Sequence, residues 1–353
     1  MRFSEFDDFW LPTTLSSICS FRKKRKSSIK KFYVSTENIL QNYKGIEQYN
    51  SNEVISGVEF LTGDILMANI RPYLKKVYMA EFDGVSNSDV LIFKSDMVDS
   101  NFLHCILAND NFINYVMNSV KGSKMPRGDK IHIMNYHLSI PKAKEQEKIA
   151  KFIDLIDQRI DTQSKIIEDL ELFKNRISYQ IFFELNGENI VSLGEIASIY
   201  QPETISQFDF KNDGPFNVYG ANGIIGKYDK YNHEESEILL SCRGNCGTIN
   251  MSMPKSWING NAMVIHVKTA NINKKFMYYY LQNINFKALI SGSGVPQITR
   301  KPVENIKVKI PFKDKQIFIT NIMDCIYLKI KKEKDILELY KKQKAYLLKN
   351  MFI

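Results

Sequence analysis

An internal repeat is the feature that most constrains how this chain can fold. Residues 120–146, VKGSKMPRGDKIHIMNYHLSIPKAKEQ, align without a gap on residues 290–316, ISGSGVPQITRKPVENIKVKIPFKDKQ, at an offset of 170. The identical pairs are Gly122/Gly292, Ser123/Ser293, Pro126/Pro296, Asn135/Asn305, Ile140/Ile310, Pro141/Pro311 and Gln146/Gln316. Because a repeated sequence predicts a repeated structure, the repeat indicates the architecture before any single motif is considered.

The repeat extends in both directions from this stretch. Further aligned segments are 63–71 with 236–243, 86–93 with 260–267, 101–112 with 275–286 and 147–183 with 317–353. The first of these pairs Arg71 with Arg243. Small changes of offset between segments indicate short loop insertions. The chain therefore reads as two copies of one module, residues 1–183 and 184–353.

Each copy begins with a mixed α+β part. Short apolar segments broken by Gly, Asn and Asp predict strands at DILMANI, DVLIF, EILLS, AMVIHV and NIKVKIP. Longer apolar segments predict a helix at FLHCILANDNFINYVMNSV and another at FMYYYLQNINFKALI. The predicted fold class is α+β, with two mixed domains.

Each copy ends with a segment that predicts one long helix. No Pro or Gly occurs from Glu145 to Phe183. The apolar residues recur at alternating steps of four and three, at Ile149, Ile153, Ile156, Ile160, Ile167, Leu170, Ile177 and Ile181. The aligned stripe of the second copy is Ile319, Met323, Ile326, Ile330, Leu337, Tyr340, Leu347 and Met351. This 3.5-residue period is that of a coiled-coil seam, so the two helices are expected to pack on each other. The residues alone leave open whether they run parallel or antiparallel.

The predicted seam has polar interruptions at matching places. Gln163 and Lys174 interrupt the first stripe, and Glu333 and Lys344 stand at the aligned positions of the second. The predicted division of the chain follows from these patterns. Its parts are a first domain at 1–144, a long helix at 145–184, a second domain at 185–314 and a C-terminal helix at 315–353.

Charge and composition limit the classes of partner. The chain has 353 residues and a formal net charge of +9, which favours an anionic partner without choosing between nucleic acid, a membrane surface and an acidic protein. No run of eighteen apolar residues predicts a transmembrane helix. The N-terminal MRFSEFDDFW is acidic where a signal peptide is basic and then apolar. Five cysteines fit a reducing cytoplasm better than a disulfide framework, so the expected location is cytoplasmic.

Several motifs, in this order and spacing, resemble a known family. The second copy contains SLGEIASIY (192–200), NVYGANGIIGKYDKY (217–231), SCRGNCGTI (241–249) and SGSGVPQITRKPVENIKVKIP (291–311), followed by the long helix. Together they resemble the specificity subunits of type I restriction–modification systems, and the resemblance covers essentially the whole chain. In the first copy it rests mainly on the repeat and on SIPKAKEQEKIAKFIDLID, because KGSKMPRGDK replaces SGSGVPQITR and no YGANG counterpart is present.

The resemblance implies a function and a set of partners. Two target recognition domains would each read half of a bipartite, asymmetric site in double-stranded DNA. Two antiparallel helices would act as a spacer and dock two modification (methyltransferase) subunits, which carry S-adenosylmethionine. Separate restriction subunits would translocate and cut DNA. The chain itself would be non-catalytic, would bind no cofactor directly and would have no membrane partner.

The residues agree with the absence of catalysis. We find no Asn/Asp-Pro-Pro-Tyr/Phe tetrapeptide, no glycine-rich nucleotide fingerprint and no P-loop. The five histidines are scattered, and Cys242 and Cys246 form a lone C-x3-C where structural zinc needs four ligands. We therefore predict no metal site.

Basic and amide residues supply the candidate DNA contacts. The segment FRKKRKSSIKK (21–31) is predicted either to bind DNA phosphates or to be a solvated loop. The strand-end arginine in RPYLKK is predicted either to form two hydrogen bonds with guanine or to pair with a carboxylate. The Gly/Ser loops before each long helix, and YGANG, read as loops near a strand, are predicted to contact DNA or to be structural. The candidates are Arg22, Lys23, Lys24, Arg25, Lys26, Arg71, Lys75, Lys76, Lys124, Arg127, Tyr219, Asn222, Lys227, Arg243, Gln297, Thr299 and Arg300. On the long helices, the outward charged residues and the polar seam positions are the predicted attachment sites for methyltransferase subunits.

Two other functions compete with this one. The chain is either a self-sufficient restriction or modification enzyme, against which the missing catalytic motifs argue, or a coiled-coil interaction scaffold whose positive charge is incidental. Methylation by the isolated chain distinguishes the first alternative, and absence of sequence-specific DNA binding distinguishes the second.

Overall fold

The computed structural model describes residues 2–122, 124–185, 189–292 and 296–351. Ser123 and Ser293, one of the identical pairs of the repeat, lie outside these ranges. The chain divides into two compact units, and each is described by itself. Unit 1 comprises Met1–Lys165 and Asp335–Ile353, and unit 2 comprises Ile166–Lys334.

Unit 1 is a mixed α+β structure. Its strands are β1 Leu11–Thr14, β2 Cys19–Phe21, β3 Arg25–Ile29, β4 Tyr33–Val34, β5 Val54–Phe60, β6 Ile65–Ala68, β7 Val77–Met79, β8 Gly84–Ser86, β9 Val90–Ser95 and β10 His137–Ile140. Its short helices are α1 Leu15–Ile18, α2 Ser100–Leu107, α3 Asp110–Met117 and α4 Lys130–Met134, with 3-10 turns at Lys30–Phe32 and Pro72–Leu74. The strands form sheets of order β2-β9-β6-β7, β3-β5-β8-β4 and β1-β10.

Unit 2 has the same kind of structure. Its strands are β11 Asn189–Ser192, β12 Ala197–Tyr200, β13 Phe216–Gly220, β14 Gly223–Tyr228, β15 Ile238–Ser241, β16 Ile249–Met251, β17 Trp257–Ile258, β18 Ala262–Val267 and β19 Lys307–Ile310. Its short helices are α6 Leu193–Ile196, α7 Lys274–Leu281 and α8 Arg300–Glu304, with 3-10 turns at Gln207–Asp209 and Phe286–Leu289. The sheets have the order β12-β18-β15-β16, β14-β13-β17 and β11-β19.

The two units share several elements, although unit 1 contains the sheet β3-β5-β8-β4 and unit 2 the sheet β14-β13-β17. The antiparallel sheet β2-β9-β6-β7 corresponds to β12-β18-β15-β16, and the pair β1-β10 to β11-β19. Each unit also contains one parallel strand pair, β4 with β8 and β13 with β17. The α+β class and the internal repeat predicted from the sequence are confirmed.

One glutamine is shared by both copies, Gln146 in unit 1 and Gln316 in unit 2. Its side chain links the start of the long helix to the residue that caps a neighbouring short helix. The Gln146 side chain donates to the Pro141 carbonyl at 2.8 Å and accepts from the backbone N–H of Asp99, the N-cap of α2. Gln316 makes the same bonds to Pro311 and to Asn273, the N-cap of α7. Both amides are buried, so their hydrogen bonds fix the start of the long helix against the neighbouring helix.

The predicted strands are present, while the predicted short helices are interrupted. All five quoted strand segments form strands. In four of them the apolar side chains fill the core on both faces, whereas in β19 only Val308 is buried. The first predicted helix is broken into α2 and α3 at Asn109, whose side chain caps α3 by accepting from the Asn111 N–H. The second ends at Leu281, and a separate 3-10 turn follows at Phe286–Leu289.

The long helices are α5, Ala143–Phe183, and α9, Lys313–Met351. In unit 1, Ile149, Ile153 and Ile156 of α5 share one core cluster with Leu347 and Met351 of α9. These residues of both helices are thus buried in one core, together with residues of the short helices and strands of unit 1.

In unit 2 the contacts between the helices fix their direction. Glu171 pairs with Lys334 at 2.6 Å, and Ser178 contacts Met323. The residue number rises along α5 as it falls along α9, so the helices are antiparallel. This decides the direction that the residue pattern alone left open, and agrees with the family resemblance.

Two polar seam positions have specific partners. Lys344 forms an ion pair with Asp157 at 2.6 Å, and the Lys174 ammonium lies 5.2 Å from the ring centre of Tyr327. Burial raises the pKa of Asp157, and the adjacent Lys344 opposes that rise. No helix in the described part of the chain is long and apolar enough to cross a membrane.

Candidate nucleic-acid interface

In each unit an arginine that follows a central strand, Arg71 after β6 and Arg243 after β15, lies next to the Gly/Ser loop of that unit. In unit 1 the Arg71 N–H donates to the Pro126 carbonyl at 2.8 Å, and Arg127 bridges to both Ile70 and Lys121. In unit 2 Gln297 bridges to both Arg243 and Ser291. The repeat thus places the same two chain segments together in both units. We call these places strand-end site 1 (Arg71 with residues 121–122 and 124–129) and strand-end site 2 (Arg243 with residues 291–292 and 296–300).

A glycine allows each loop to turn back on itself. Gly122 has a φ of +92°, and Gly292 has a φ of +95°. Side chains other than glycine rarely adopt this left-handed region, which explains the repeated identity. The loop closes through hydrogen bonds between Lys121 and Arg127 in site 1 and between Ser291 and Gln297 in site 2.

Strand-end site 1 presents several basic side chains. Arg71 and Lys124 are exposed and form no ion pair among the described residues. Arg127 pairs with Asp89 at 3.2 Å, yet half of its side chain remains accessible. Lys121 pairs with Asp129 and thereby lowers the pKa of that carboxyl to about 2. Arg71 itself has a left-handed backbone with a φ of +52°, a strained position for a non-glycine residue.

Strand-end site 2 is less basic and richer in amide and hydroxyl groups. Arg243 and Gln297 are exposed. Thr299, at the N-cap of α8, is exposed and makes no capping hydrogen bond with its side chain. Arg300 is bound to Glu304 at 2.6 Å on the same helix. The two sites therefore share a backbone arrangement and differ in chemistry.

Residues 25–29 of the basic segment 21–31 form β3, so the interpretation of these residues as a solvated loop is wrong. Residues 25–29 pair with β5 along their whole length. Lys24 and Lys26 both contact Glu59, at 3.1 and 3.2 Å, and their hydrogen bonds hold the pKa of Glu59 below its usual range. Lys23 and Arg25 form no ion pair within the described residues.

Arg22 has a different environment from the other basic residues of this segment. Its guanidinium binds both carboxylate oxygens of Asp64, at 2.8 and 3.1 Å, and Asp64 is buried. A buried carboxylate needs such a partner, so Arg22 has a structural role. Its predicted contact with phosphate stays a prediction.

The two lysines after the Pro72–Leu74 turn are also engaged. Lys75 pairs with Asp110 at 2.8 Å, and Lys76 donates to the Thr36 carbonyl at 2.6 Å. Partial burial lowers the pKa of Lys76. Of the basic residues in RPYLKK, Arg71 has the fewest partners within the protein.

The YGANG segment is a β-hairpin, so its interpretation as loops is wrong. β13 and β14 pair up to Gly220 and Gly223, which leaves Ala221 and Asn222 as the two-residue turn. Gly223, the first residue of β14, has a φ of +123°, a backbone conformation that residues other than glycine rarely adopt.

The hairpin structure bears on the predicted contact of Tyr219 and shows two further exposed residues, Ile224 and Ile225. Tyr219 is buried and its hydroxyl accepts from the Met253 N–H at 3.1 Å, so the prediction of a DNA contact for Tyr219 is wrong. Asn222 and Lys227 are exposed. Ile224 and Ile225, which the sequence did not single out, lie exposed beside the turn. Alternation along a strand would place one of them inward, yet Ile224 is 57% exposed and Ile225 is 46% exposed.

The cysteines are not arranged as metal ligands. The described residues contain no group of three or more His, Cys, Asp and Glu side chains that could hold a metal ion. Cys242 donates to the Asn261 carbonyl at 3.2 Å, and Cys246 to the Pro296 carbonyl at 3.3 Å. Burial raises the pKa of the Cys242 thiol, which keeps it protonated.

A comparison with protein families identifies the fold. The profile of the family described as "Type I restriction modification DNA specificity domain" matches residues 10–172 and again residues 187–340. The chain belongs to this family. Each match to the specificity-domain family contains one of the two strand-end sites, so the internal repeat is two copies of the family's domain.

Curated relatives carry matching descriptions. A type I restriction enzyme specificity subunit of Haemophilus influenzae is 30% identical over 117 residues, which are 32% of this chain and 30% of that protein. The EcoDI specificity subunit of Escherichia coli is 27% identical over 178 residues, which are 50% of this chain and 36% of that protein. The aligned part thus spans about a third of the length of each of these relatives.

Solved structures share the fold over the whole chain. The S subunit of a type I restriction–modification system from M. genitalium has a TM-score of 0.63 and 18% identity, over 98% of this chain and 96% of that one. A chain from a type I R-M system, solved for its complex assembly and conformational transition, has a TM-score of 0.63 and 16% identity, over 96% of both chains. This likeness confirms the specificity-domain fold.

Proposed function

We propose that this chain is the DNA sequence-recognition subunit of a type I restriction–modification complex. Residues 1–144 and 185–314 would each read one half of a bipartite, asymmetric site in double-stranded DNA. The observation that carries the proposal is the duplicated strand-end site, in which Arg71 and Arg243 occupy equivalent, exposed positions beside a glycine-containing loop. Membership of the specificity-domain family supports the same role.

The chemistry of the two sites supports the reading of different half-sites. An exposed arginine at a strand end can donate two parallel hydrogen bonds to the O6 and N7 atoms of guanine. In site 1 its neighbours are Lys124 and Arg127, which favour phosphate contacts, whereas in site 2 they are Gln297 and Thr299. An amide side chain pairs with adenine, so the two sites offer different patterns of donors and acceptors.

The basic strand of unit 1 would add affinity without sequence preference. Lys23 and Arg25 are available for phosphates, while Lys24 and Lys26 share Glu59 and remain well exposed. Each phosphate contact releases counterions, so binding should weaken steeply with salt. These contacts would position the DNA, and other residues would recognise its sequence.

Catalysis would belong to partner subunits. Two modification subunits would bring S-adenosylmethionine and methylate adenine, and restriction subunits would translocate and cleave. The specificity chain would bind no cofactor directly and would act in the cytoplasm, where DNA and these partners meet.

The long helices 145–184 and 315–353 would set the number of unread base pairs between the half-sites. Inserting one helical turn into each of α5 and α9 adds about 5.4 Å along the helix axis. We expect the spacer in the recognised site to lengthen by one or two base pairs, with both half-sites unchanged. A changed half-site at an unchanged spacer length would contradict this role of the helices.

An exchange of domains tests the proposed function directly. Residues 192–310 are replaced by those of another specificity-family member, and the methylated sequence is mapped in cells that also express the cognate modification subunit. We expect one half-site to change and the other to persist. If both half-sites change, or neither does, the reading of one half-site by each domain is wrong.

A further inference from the structure

The β13–β14 hairpin presents two consecutive isoleucines to solvent beside its turn. Ile224 and Ile225 are both exposed, Ile224 the more so. Tyr219 lies opposite Ile224 and Val218 lies opposite Gly226, so Ile225 is one extra residue on β14. A β-bulge of this kind breaks the alternation of side chains along a strand and re-aims one of them. The bulge therefore accounts for two exposed apolar neighbours in one strand.

The hairpin has a fixed base and a narrow tip. β13 pairs in parallel with β17, and the Tyr228 ring packs edge-on against Trp257 with ring centres 5.3 Å apart. Ile225 lies over Gly220, where an added Cβ would stand 3.0 Å from the Ile225 Cγ2 atom. A Cβ added at Gly223 would have no atom of the described residues within 4 Å beyond its neighbours in the chain. The tip thus projects into open space from a packed support.

The hairpin turn lies at the same edge of unit 2 as strand-end site 2. The Asn259 N–H donates to the Tyr219 carbonyl at 2.9 Å, and the Cys242 N–H donates to the Asn261 carbonyl at 3.4 Å. Arg243 follows Cys242 directly. Two residues span at most about 7 Å, so the segment 259–261 holds the turn and Arg243 close enough to contact base pairs of one half-site.

The chemistry of the tip suits the major groove of DNA. YGANGIIG, residues 219–226, contains no carboxylate that phosphates would repel, and the exposed Lys227 follows it. The major groove is about 12 Å wide and admits a two-stranded β-ribbon. The thymine 5-methyl group is the apolar group displayed there, and apolar side chains contact it. The nearby exposed cation Arg243 favours DNA over an apolar protein surface as the partner of this tip.

We propose that the tip of the β13–β14 hairpin enters the major groove and that Ile224 contacts the 5-methyl group of a thymine. The half-site read by unit 2 then contains a thymine within a few base pairs of the base that Arg243 contacts. The inference rests on the proposed function and adds to it one base of the recognised sequence and the residue that selects it.

The contact belongs to one half-site only. Unit 1 contains the sheet β3-β5-β8-β4 where unit 2 contains β14-β13-β17, and the first copy has no YGANG segment. The half-site read by unit 1 therefore serves as an internal control for the same DNA molecule.

Replacement of thymine by uracil removes only the methyl group and so isolates the contact. The assembled complex of the full-length chain and its cognate modification subunit is titrated with duplexes in which each thymine of the mapped site is replaced in turn by deoxyuridine. Binding is measured by fluorescence anisotropy at fixed salt. We expect one replacement, in the half-site that the exchange of residues 192–310 assigns to unit 2, to weaken binding about three- to fivefold, the effect of leaving one methyl carbon unburied.

Substitutions of the isoleucine identify the protein side of the contact. Ile224→Ala should weaken binding to the thymine duplex by at least the same factor, and the difference between thymine and uracil should disappear at that position only. Ile224→Val keeps a branched apolar side chain and should retain most of the difference. Ile190→Ala, at an isoleucine that is 63% exposed on β11, is the matched control and should retain all of it.

The outcomes separate the inference from the proposed function. If no thymine of the unit-2 half-site is sensitive to uracil, or if Ile224→Ala leaves the sensitivity unchanged, the inference is overturned while sequence-specific binding leaves the proposed function intact. Equal weakening on cognate and unrelated DNA, or loss of modification-subunit binding, would give the tip a different partner and would also overturn it. A wild-type complex that binds no specific sequence overturns both.

Discussion

At the scale of single residues, the basic side chains differ in whether the protein already uses their charge. Arg22 is committed to the buried Asp64, whereas Arg71 and Arg243 are exposed beside their loops. The sequence grouped all three as candidate DNA contacts, because it shows charge and not partners. The partner of Arg22 lies 42 residues away in the sequence. The Tyr219 hydroxyl likewise accepts from the backbone N–H of Met253, 34 residues away.

The exposed arginines should each contribute to sequence recognition. We expect Arg243→Ala to lower the affinity of the assembled complex for its cognate DNA by about 5- to 150-fold, or 1–3 kcal/mol, and to relax the preference at one position of one half-site. Arg71→Ala should do the same in the other half-site. Fluorescence anisotropy at fixed salt measures this, with Lys44→Ala, at an exposed lysine outside the candidate contacts, as control. Equal loss on cognate and unrelated DNA would mean that these arginines contact phosphates only.

Arg22 should matter for stability. Arg22→Ala leaves the Asp64 carboxylate buried without its partner, so we expect the free energy of unfolding to fall by about 2–4 kcal/mol. Lys23→Ala, at a neighbouring exposed residue, should change it by less than about 0.5 kcal/mol. Urea denaturation followed by circular dichroism distinguishes the two. An Arg22→Ala variant with wild-type stability and weakened DNA binding would instead make Arg22 a phosphate contact.

At the scale of elements, the spacing of apolar residues predicted the strands and the long helices. It did not predict the break between α2 and α3 or the turn between β13 and β14. The stripe from Ile149 onward predicted α5, whose bounds are Ala143–Phe183. The break at Asn109 was missed because apolar spacing continues across it, and the decisive feature is a side-chain cap. The hairpin at Ala221–Asn222 was missed because its glycines were read as a loop, although Asn-Gly is a turn signal.

Helix α2 carries a histidine that should make stability depend on pH. Burial, with a smaller effect of Lys344, lowers the pKa of His104 to about 4 from an ordinary 6.5. The folded protein keeps this imidazole neutral, so its contribution is present above about pH 6.5 and is lost as the pH falls toward 4. The free energy of unfolding should fall by on the order of 2–3 kcal/mol over this pH range.

A single substitution isolates this effect. His104→Gln should reduce the loss of stability between pH 7 and pH 4.5, measured as the urea midpoint at each pH. The raised pKa of Asp157 acts in the opposite direction but is present in both proteins, so the difference between them reports His104. Parallel pH profiles for the wild type and the variant would contradict this assignment.

At the scale of the whole molecule, duplication followed by divergence accounts for what the two copies share and where they differ. The shared residues are those that the backbone needs, such as Gly122 and Gly292 in the loops and Gln146 and Gln316 at the long helices. The sequence repeat was therefore enough to predict two equivalent units. The exposed residues around the strand-end sites diverged, and no repeat can predict which bases they read.

The adenine-methylation map of DNA from cells that express this chain with its cognate modification subunit tests the central claim most directly. We predict methylation at one bipartite site with two different half-sequences and a constant spacer, with Arg71→Ala relaxing only one half and Arg243→Ala only the other. Methylation at a continuous site, or a pattern that one of these substitutions alters in both halves, would contradict the existence of two separate readers in one chain.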